Sequence, residues 1–410
     1  MRAQSLRSPN RRRNRPETRR LLVAVAVATA IILGLFGRQP SRALAQNTEP
    51  VVAKTATLEA AIRTGLRTQY ENTVLLESNQ PVPLLLDCNA PSFSSFDQRV
   101  RWSCDRGQVD LEATGLRNQF YPPAQSAVST VEARIQFYQR EARQPKPVVM
   151  FEHSVTLRAI SPSPGSLLHN SEIGGFNMGE YADPTDPNAQ RGDDVRLSPE
   201  QFLPPRAFYL VDDESRQLAI SRYFRLGDFA LDNPWFSLGK RQYIALDPGL
   251  VRKIEDLVDE LKRSGLPGEK IRFICAFRPP SCTKGPFGQG GGEPLDQPFS
   301  LHLYGKAVDL VLDADGDQRL DDLDGDGRLS VRDTIPLIRC VNALDRRYRA
   351  QKLPLYGSLA VYEQHTFQHP SVRSPYVHIA IGGHLDQQGN LLRSPAKWPD
   401  TGEPIDWDKL

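Results

Sequence analysis

Residues 300–312 read Ser300-Leu-His302-Leu-Tyr-Gly305-Lys-Ala307-Val-Asp309-Leu-Val-Leu312. Leu310-Val311-Leu312 continue Val308-Asp309 as a short apolar run of strand length. His302 belongs to the loop before that strand, seven positions ahead of Asp309. A loop histidine and a strand aspartate can converge on one metal ion. A third candidate is His378, in PYVHIAIGG (375–383), which also reads as a short strand. Zn²⁺ accepts imidazole nitrogen and carboxylate oxygen, and a catalytic site keeps its fourth position for water. Two histidines and one aspartate leave a net positive centre, which lowers the pKa of bound water toward about 7.

Directly after this strand the chain becomes strongly acidic. Residues 313–333 hold eight Asp and three Arg. The run from Asp322 to Asp333 fits a 12-residue calcium loop. Oxygen donors fall at Asp322, Asp324, Asp326, Ser330 and Asp333, the Arg328 position contributes its backbone carbonyl, and Gly327 makes the sharp turn. An overlapping copy starts at Asp313 and runs through Asp315, Asp317, Asp321 and Asp324, with Gln318 in place of the turn glycine. Both frames use Asp324, so the two are not independent standard loops. Without a cation so many carboxylates repel one another, and a structural Ca²⁺ is expected. An amphipathic helix is expected from Thr334 to about Tyr348, on Ile335, Ile338, Val341, Ala343 and Leu344.

Upstream, Leu250, Ile254, Leu257, Val258 and Leu261 recur at spacings of 3 and 4, which predicts a helix over 248–264 that Gly265 ends. IRFICAF (271–277) reads as a strand, and five glycines between 285 and 292 read as a loop. Residues 163–214 are rich in Pro, Asn, Asp and Gly and read as an irregular linker or covering extension. Before them VPLLLDC (82–88), RVRWSCD (99–105), TVEARIQFY (130–138) and HSVTLRAI (153–160) are strand-like segments separated by turn residues. Residues 46–162 are therefore expected to form an all-β sandwich spacer.

The N-terminus differs from the rest. Residues 1–45 carry ten Arg against one acid, a net of +9, so −7 belongs to the remainder of a chain whose formal charge is +2. The basic segment is thus no nucleic-acid patch on the folded protein. Leu21 to Phe36 is an uncharged apolar run, short for a spanning helix, and Ala43-Leu44-Ala45 is a small-x-small cleavage pattern. This is the layout of a secretory signal, or of an uncleaved N-terminal anchor, the only membrane contact expected. Either way the rest of the chain lies outside the cytoplasm, in the periplasm or cell envelope. Export makes disulfides available. Cys88 and Cys104 bracket the strand VRWSC, and Cys275 and Cys282 flank Arg278-Pro279-Pro280; both pairs are expected to bridge, with Cys340 left over. Hydrophobic content of 39% over 410 residues excludes a multi-span membrane protein, and 24% charged residues exclude full-length disorder.

Ser300, His302, Gly305, Ala307 and Asp309 in this order resemble the zinc D-Ala-D-Ala carboxypeptidase and murein endopeptidase superfamily, which shares its fold with hedgehog signalling domains. Arg278 in AFRPP, YFRLGDF (223–229) and His378 in YVHIAI match further segments in order. The resemblance covers about residues 216–390. It implies an α+β zinc peptidase domain with an antiparallel sheet over 215–395, followed by a tail at 396–410. It also implies His302, Asp309 and His378 as zinc ligands, Arg278 as partner of the oxyanion, and peptidoglycan peptides as substrate. The N-terminal strands resemble bacterial immunoglobulin-like domains in architecture, and the 322–333 loop resembles dockerin-type EF-hand loops.

One position departs from the family. Many members carry Glu three residues before the last ligand, where this chain has Pro375. Glu363, His365 and His369 are the remaining candidates for proton transfer, so the general base is unassigned. The expectation is an exported zinc metallopeptidase with Ca²⁺ as a second metal. Its alternative is a non-catalytic, metal-stabilised envelope binding module. A dockerin-like assembly role is disfavoured, because this loop sits inside a domain.

Overall fold

The computed structural model describes residues 59–88, 97–111, 115–139, 148–185, 202–230, 241–284, 299–363, 374–383, 391, 398, 401–407 and 409–410. The signal segment, the glycine loop, His365 and His369 lie outside the described residues, as does most of 384–400. Ala56–Leu410 form one compact unit. It is mostly antiparallel β-sheet with two α-helices among the described residues. No helix among them is long and apolar enough to cross a membrane.

The first nine strands are β1 (Ala60–Arg63), β2 (Gln69–Tyr70), β3 (Thr73–Leu75), β4 (Val82–Cys88) and β5 (Asp97–Cys104), then β6 (Gln108–Val109), β7 (Arg117–Tyr121), β8 (Ala127–Gln139) and β9 (Val148–Ser161). They form two sheets, ordered β1-β4-β7-β6 and β2-β3-β9-β8-β5. Alternation sets their inner faces. Val82, Leu84 and Leu86 of one sheet share a core with Val100, Trp102, Val131, Ala133, Ile135 and Phe137 of the other. The β3–β9 pair is parallel.

The segment read as a linker or covering extension contributes structure. It holds β10 (Ser163–Pro164), β11 (Glu172–Ile173), β12 (Phe176–Asn177) and β13 (Ala207–Val211), and β13 joins β10 to β14 (Gln242–Ile244) in a three-stranded sheet. Phe208 to Val211 enter the largest core, and the Tyr209 hydroxyl donates 2.9 Å to the Leu76 carbonyl. The segment's core residues, Ile173, Met178, Phe202 and Phe208 to Val211, are scattered through a stretch rich in Pro, Asn, Asp and Gly and leave no periodic signal.

The remaining elements build the platform of the site. They are α1 (Pro248–Arg263), β15 (Ile271–Cys275), β16 (Ala307–Leu312), α2 (Ile335–Ala350), β17 (Leu359–Tyr362) and β18 (Tyr376–Ala380). Asp247 caps α1 by accepting from the Gly249 N–H, and Pro248 stands at its first turn, where a missing N–H costs nothing. The sheet order is β15-β16-β18-β17, all antiparallel. Leu250, Ile254, Leu257, Val258 and Leu261 of α1 and Leu337, Ile338, Val341 and Leu344 of α2 bury against Val308, Leu310, Leu312, Val377 and Ile379. Inside that core Lys253 Nζ lies 2.8 Å from Asp345 Oδ1 and 2.9 Å from the Ala380 carbonyl, joining both helices to β18.

Cys88 and Cys104 do not form the expected disulfide in this structure. Cys88 and Cys104 end strands of different sheets, and burial, then the charges of Asp87 and Asp105, push both thiols up. Cys275 lies opposite Asp309 across the β15–β16 pair, so the sheet turns it to that aspartate.

Lys253 and Asp345 are both wholly buried. Removing one partner strands a charge, so Asp345→Ala is expected to cost about 3–5 kcal/mol in urea unfolding, and the apolar pair Lys253→Met/Asp345→Leu much less.

Candidate metal centre

The sheet register puts the donors in one row. Cys275 pairs with Asp309, Asp309 with His378, and His378 with Ala360. Directly opposed residues of antiparallel strands share a face, with Cβ atoms about 4.5–5.5 Å apart. Asp309 and His378 therefore meet because β18 pairs with β16 in this register and no other.

His302 arrives from a different element. Ser300 precedes a single 3₁₀ turn, Leu301–Tyr304, and Gly305 ends it in the left-handed region at φ 67°. A Cβ on Gly305 would stand 2.4 Å from the Ala245 backbone, so the position admits only glycine. Ala307 then starts the strand, fully buried among Phe202, Phe299 and Ala380. The spacing from Ser300 to Asp309 is thus a compact turn that returns His302 over the strand carrying Asp309.

The three side chains converge. His302 Nε2 lies 3.1 Å from Asp309 Oδ1 and 3.1 Å from His378 Nδ1, and His378 Nδ1 lies 2.8 Å from the same Oδ1. His302 Nδ1 is 2.6 Å from the Ala276 carbonyl oxygen. That oxygen only accepts, so Nδ1 carries the proton and Nε2 presents its lone pair. A lone pair, a carboxylate oxygen and the His378 nitrogen then face one another with at most one hydrogen among them. A cation at their centre satisfies all three. With bonds of about 2.0–2.2 Å, donors around a tetrahedral Zn²⁺ stand about 3.3 Å apart, close to the spacing found. The Ala276 carbonyl orients the His302 ring, as the outer partners of metal-bound histidines do.

The centre is buried. The His302 and Asp309 side chains are 2% and 4% exposed and that of His378 12%, so His378 is the most exposed of the three. Burial pushes the His302 imidazole down to about 4 against the opposing pull of Asp309, and the Arg278 charge adds to the fall. Arg278 is buried beside the histidine. Its backbone N–H donates to the His302 carbonyl at 3.4 Å and its guanidinium to Ser300 Oγ at 3.3 Å. Ser300 thus positions the arginine.

Two residues at this centre escaped the sequence reading. Cys275 offers Sγ to a group in which it, His302 and Asp309 present ligand atoms within 4.8 Å of one another. Tyr376, two residues before His378, shares its strand face; burial, then the Asp309 charge, holds its phenol protonated well above the ordinary range. Alternation along β15 and β18 carries both signals, but only the register shows what those faces meet. Glu363 is exposed just beyond β17, three positions past Ala360, which pairs with His378. His369 lies outside the described residues.

The acidic segment folds into two similar loops. Asp322 accepts from the Gly325 and Gly327 N–H groups at 2.8 and 2.7 Å, and Asp313 accepts in the same way from Gly316 and Gln318 at 2.7 and 3.1 Å. Gln318 adopts φ 74°, taking the conformation of the glycine it replaces. Asp322, Asp324 and Asp326 bring ligand oxygens within 4.8 Å of one another, and so do Asp313, Asp315 and Asp321. Asp326 and Asp317 also accept from backbone N–H groups, those of Arg328 and Arg319. Asp333, expected to close the second loop as a ligand, is buried. Its oxygens accept from Leu323, Asp324 and Ser330, while Ser330 Oγ caps the turn by accepting from Arg332.

No family model, curated protein or solved structure matches this chain.

In the metal-free protein His302 stays neutral down to about 4, whereas in the unfolded chain it takes up a proton near 6.5. The unfolded state holds the extra proton in that window, so stability falls as pH drops through it. Urea unfolding of the metal-free protein is expected to lose on the order of 3 kcal/mol from this group between pH 7 and 4, and His302→Gln to flatten the profile.

Proposed function

We propose that the chain is an exported zinc metallopeptidase that hydrolyses D-amino-acid-containing amide bonds in peptidoglycan stem peptides, as a carboxypeptidase or cross-link endopeptidase. The observation that carries the reading is the convergence of His302, Asp309 and His378 within 3.1 Å, with the lone pair of His302 Nε2 directed at the shared centre. Zinc bound there supplies a water of lowered pKa and polarises a carbonyl. The chain supplies the rest. His302 and Asp309 hold their geometry by burial, and Arg278, fixed through Ser300, offers a permanent cation to a developing oxyanion. The protonated Tyr376 places a hydroxyl donor on the same face. In this reading residues 215–395 are the zinc peptidase domain, and the immunoglobulin-like sandwich before it is a spacer. The two acidic loops take Ca²⁺ as a structural ion that orders the end of β16.

A second reading is a metal-stabilised envelope binding module without turnover. Pro375 favours it, since it is buried where many members of the resembled family carry a glutamate, while Glu363 is exposed.

Purified muropeptides separate the two. Zinc-dependent cleavage by the wild type and a loss of at least 100-fold in His302→Ala are expected. Intact muropeptides at full zinc occupancy would establish the binding module instead. Calcium added to chelated protein is expected to raise the melting temperature, and Asp322→Ala to reduce the rise; an unchanged melting temperature removes calcium from the account.

A further inference from the structure

We propose that Cys275 is a fourth protein donor to the metal centre, so that the ion is held by one thiolate, two imidazoles and one carboxylate. The inference rests on the metal reading above and refines the donor set of that same centre.

Three observations lead to it. Cys275 is the Cα partner of Asp309, as His378 is on the other side, so the three residues form one row across β15, β16 and β18. Its Sγ lies within 4.8 Å of the ligand atoms of His302 and Asp309, and all three residues are buried. The pairing between β15 and β16 also shifts register between Phe273 and Cys275. Such a shift re-aims side chains, and here it is the step that brings Cys275 level with Asp309.

The chemistry suits the ion. A thiolate binds Zn²⁺ at about 2.3 Å, which puts sulfur about 3.5 Å from the neighbouring nitrogen and oxygen donors of a tetrahedral site. From the upper limit of its present spacing to His302 and Asp309, a movement of about 1.3 Å takes the sulfur to that distance from both. Binding releases the thiol proton to solvent and forms one metal–sulfur bond. The thiolate adds a soft donor that calcium and magnesium do not favour, which separates this centre from the all-oxygen loops of 313–333. It also fills the tetrahedral position that three protein donors leave open, so water reaches the ion only as a fifth ligand or after the sulfur moves away.

Cobalt(II) reports the sulfur directly. The metal-free full chain, kept reduced with a phosphine and given excess calcium to fill the acidic loops, is titrated with Co²⁺. One equivalent is expected to give intense tetrahedral visible bands and a near-ultraviolet sulfur-to-cobalt charge-transfer band. Cys275→Ala is expected to lose the charge-transfer band and to bind at least 10-fold more weakly, while Cys282→Ala keeps the band. Cobalt bound by the wild type without that band overturns the assignment, and so does a band that survives in Cys275→Ala. If Cys275→Ala does not fold, a wild-type cobalt complex without the band still overturns the assignment. Failure of the wild type to bind cobalt at all overturns the metal reading itself, and this proposal with it, which distinguishes the two failures.

Discussion

The antiparallel register of β16 between its two neighbours is the constraint on which the rest of this site depends. It sets Asp309 opposite Cys275 on one side and opposite His378 on the other. A slip of one residue would turn both partners to the helix-covered face and would bury polar groups among Leu310, Val377 and Ile379. The apolar face of the sheet thus fixes the polar one. The helices α1 and α2 cover that apolar face, and the buried Lys253–Asp345 pair joins them to β18 through the Ala380 carbonyl. Residues with no part in the chemistry therefore hold the donors in line.

Electrostatics adds a second layer. His302 is buried and neutral, with its proton committed to the Ala276 carbonyl. Its free nitrogen then faces a carboxylate. That arrangement is unfavourable by itself and favourable around a divalent ion. The acidic loops follow the same principle outside the core. Backbone N–H groups draw Asp313 and Asp322 inward, and burial and the charges of Asp315, Asp313 and Asp317 hold the Asp321 carboxyl above its usual range. In both places like partial charges are gathered closer than they would rest alone.

Much of this was legible in the chain, and the parts that were not share a cause. Helix α1 follows from apolar spacing, an Asp cap and Pro248, all local. Strands β4, β5, β8, β9 and β16 follow from alternation or apolar runs. Gly305 and Ala307 mark the tight turn that returns His302 to Asp309. By contrast, Ala207–Val211 is a core strand within a polar stretch, and its burial comes from partners far away in sequence. Cys275 was matched with Cys282 because the two flank Arg278-Pro279-Pro280, and only the sheet shows that it stands opposite Asp309. Asp333 fits position twelve of a calcium loop by spacing, and only the structure shows that its carboxylate also accepts from the Ser330 N–H at the turn before α2.

The sequence by itself determined where the helices and main strands run and that His302 and Asp309 flank one turn. These properties reside in a few consecutive residues, where backbone sterics and side-chain periodicity act directly. Only the tertiary structure decided that His378 and Cys275 lie on either side of Asp309, that Arg278 reaches Ser300, and that Asp333 turns inward. Those outcomes depend on which strands pair and in what register, and the burial of a whole core sets the register.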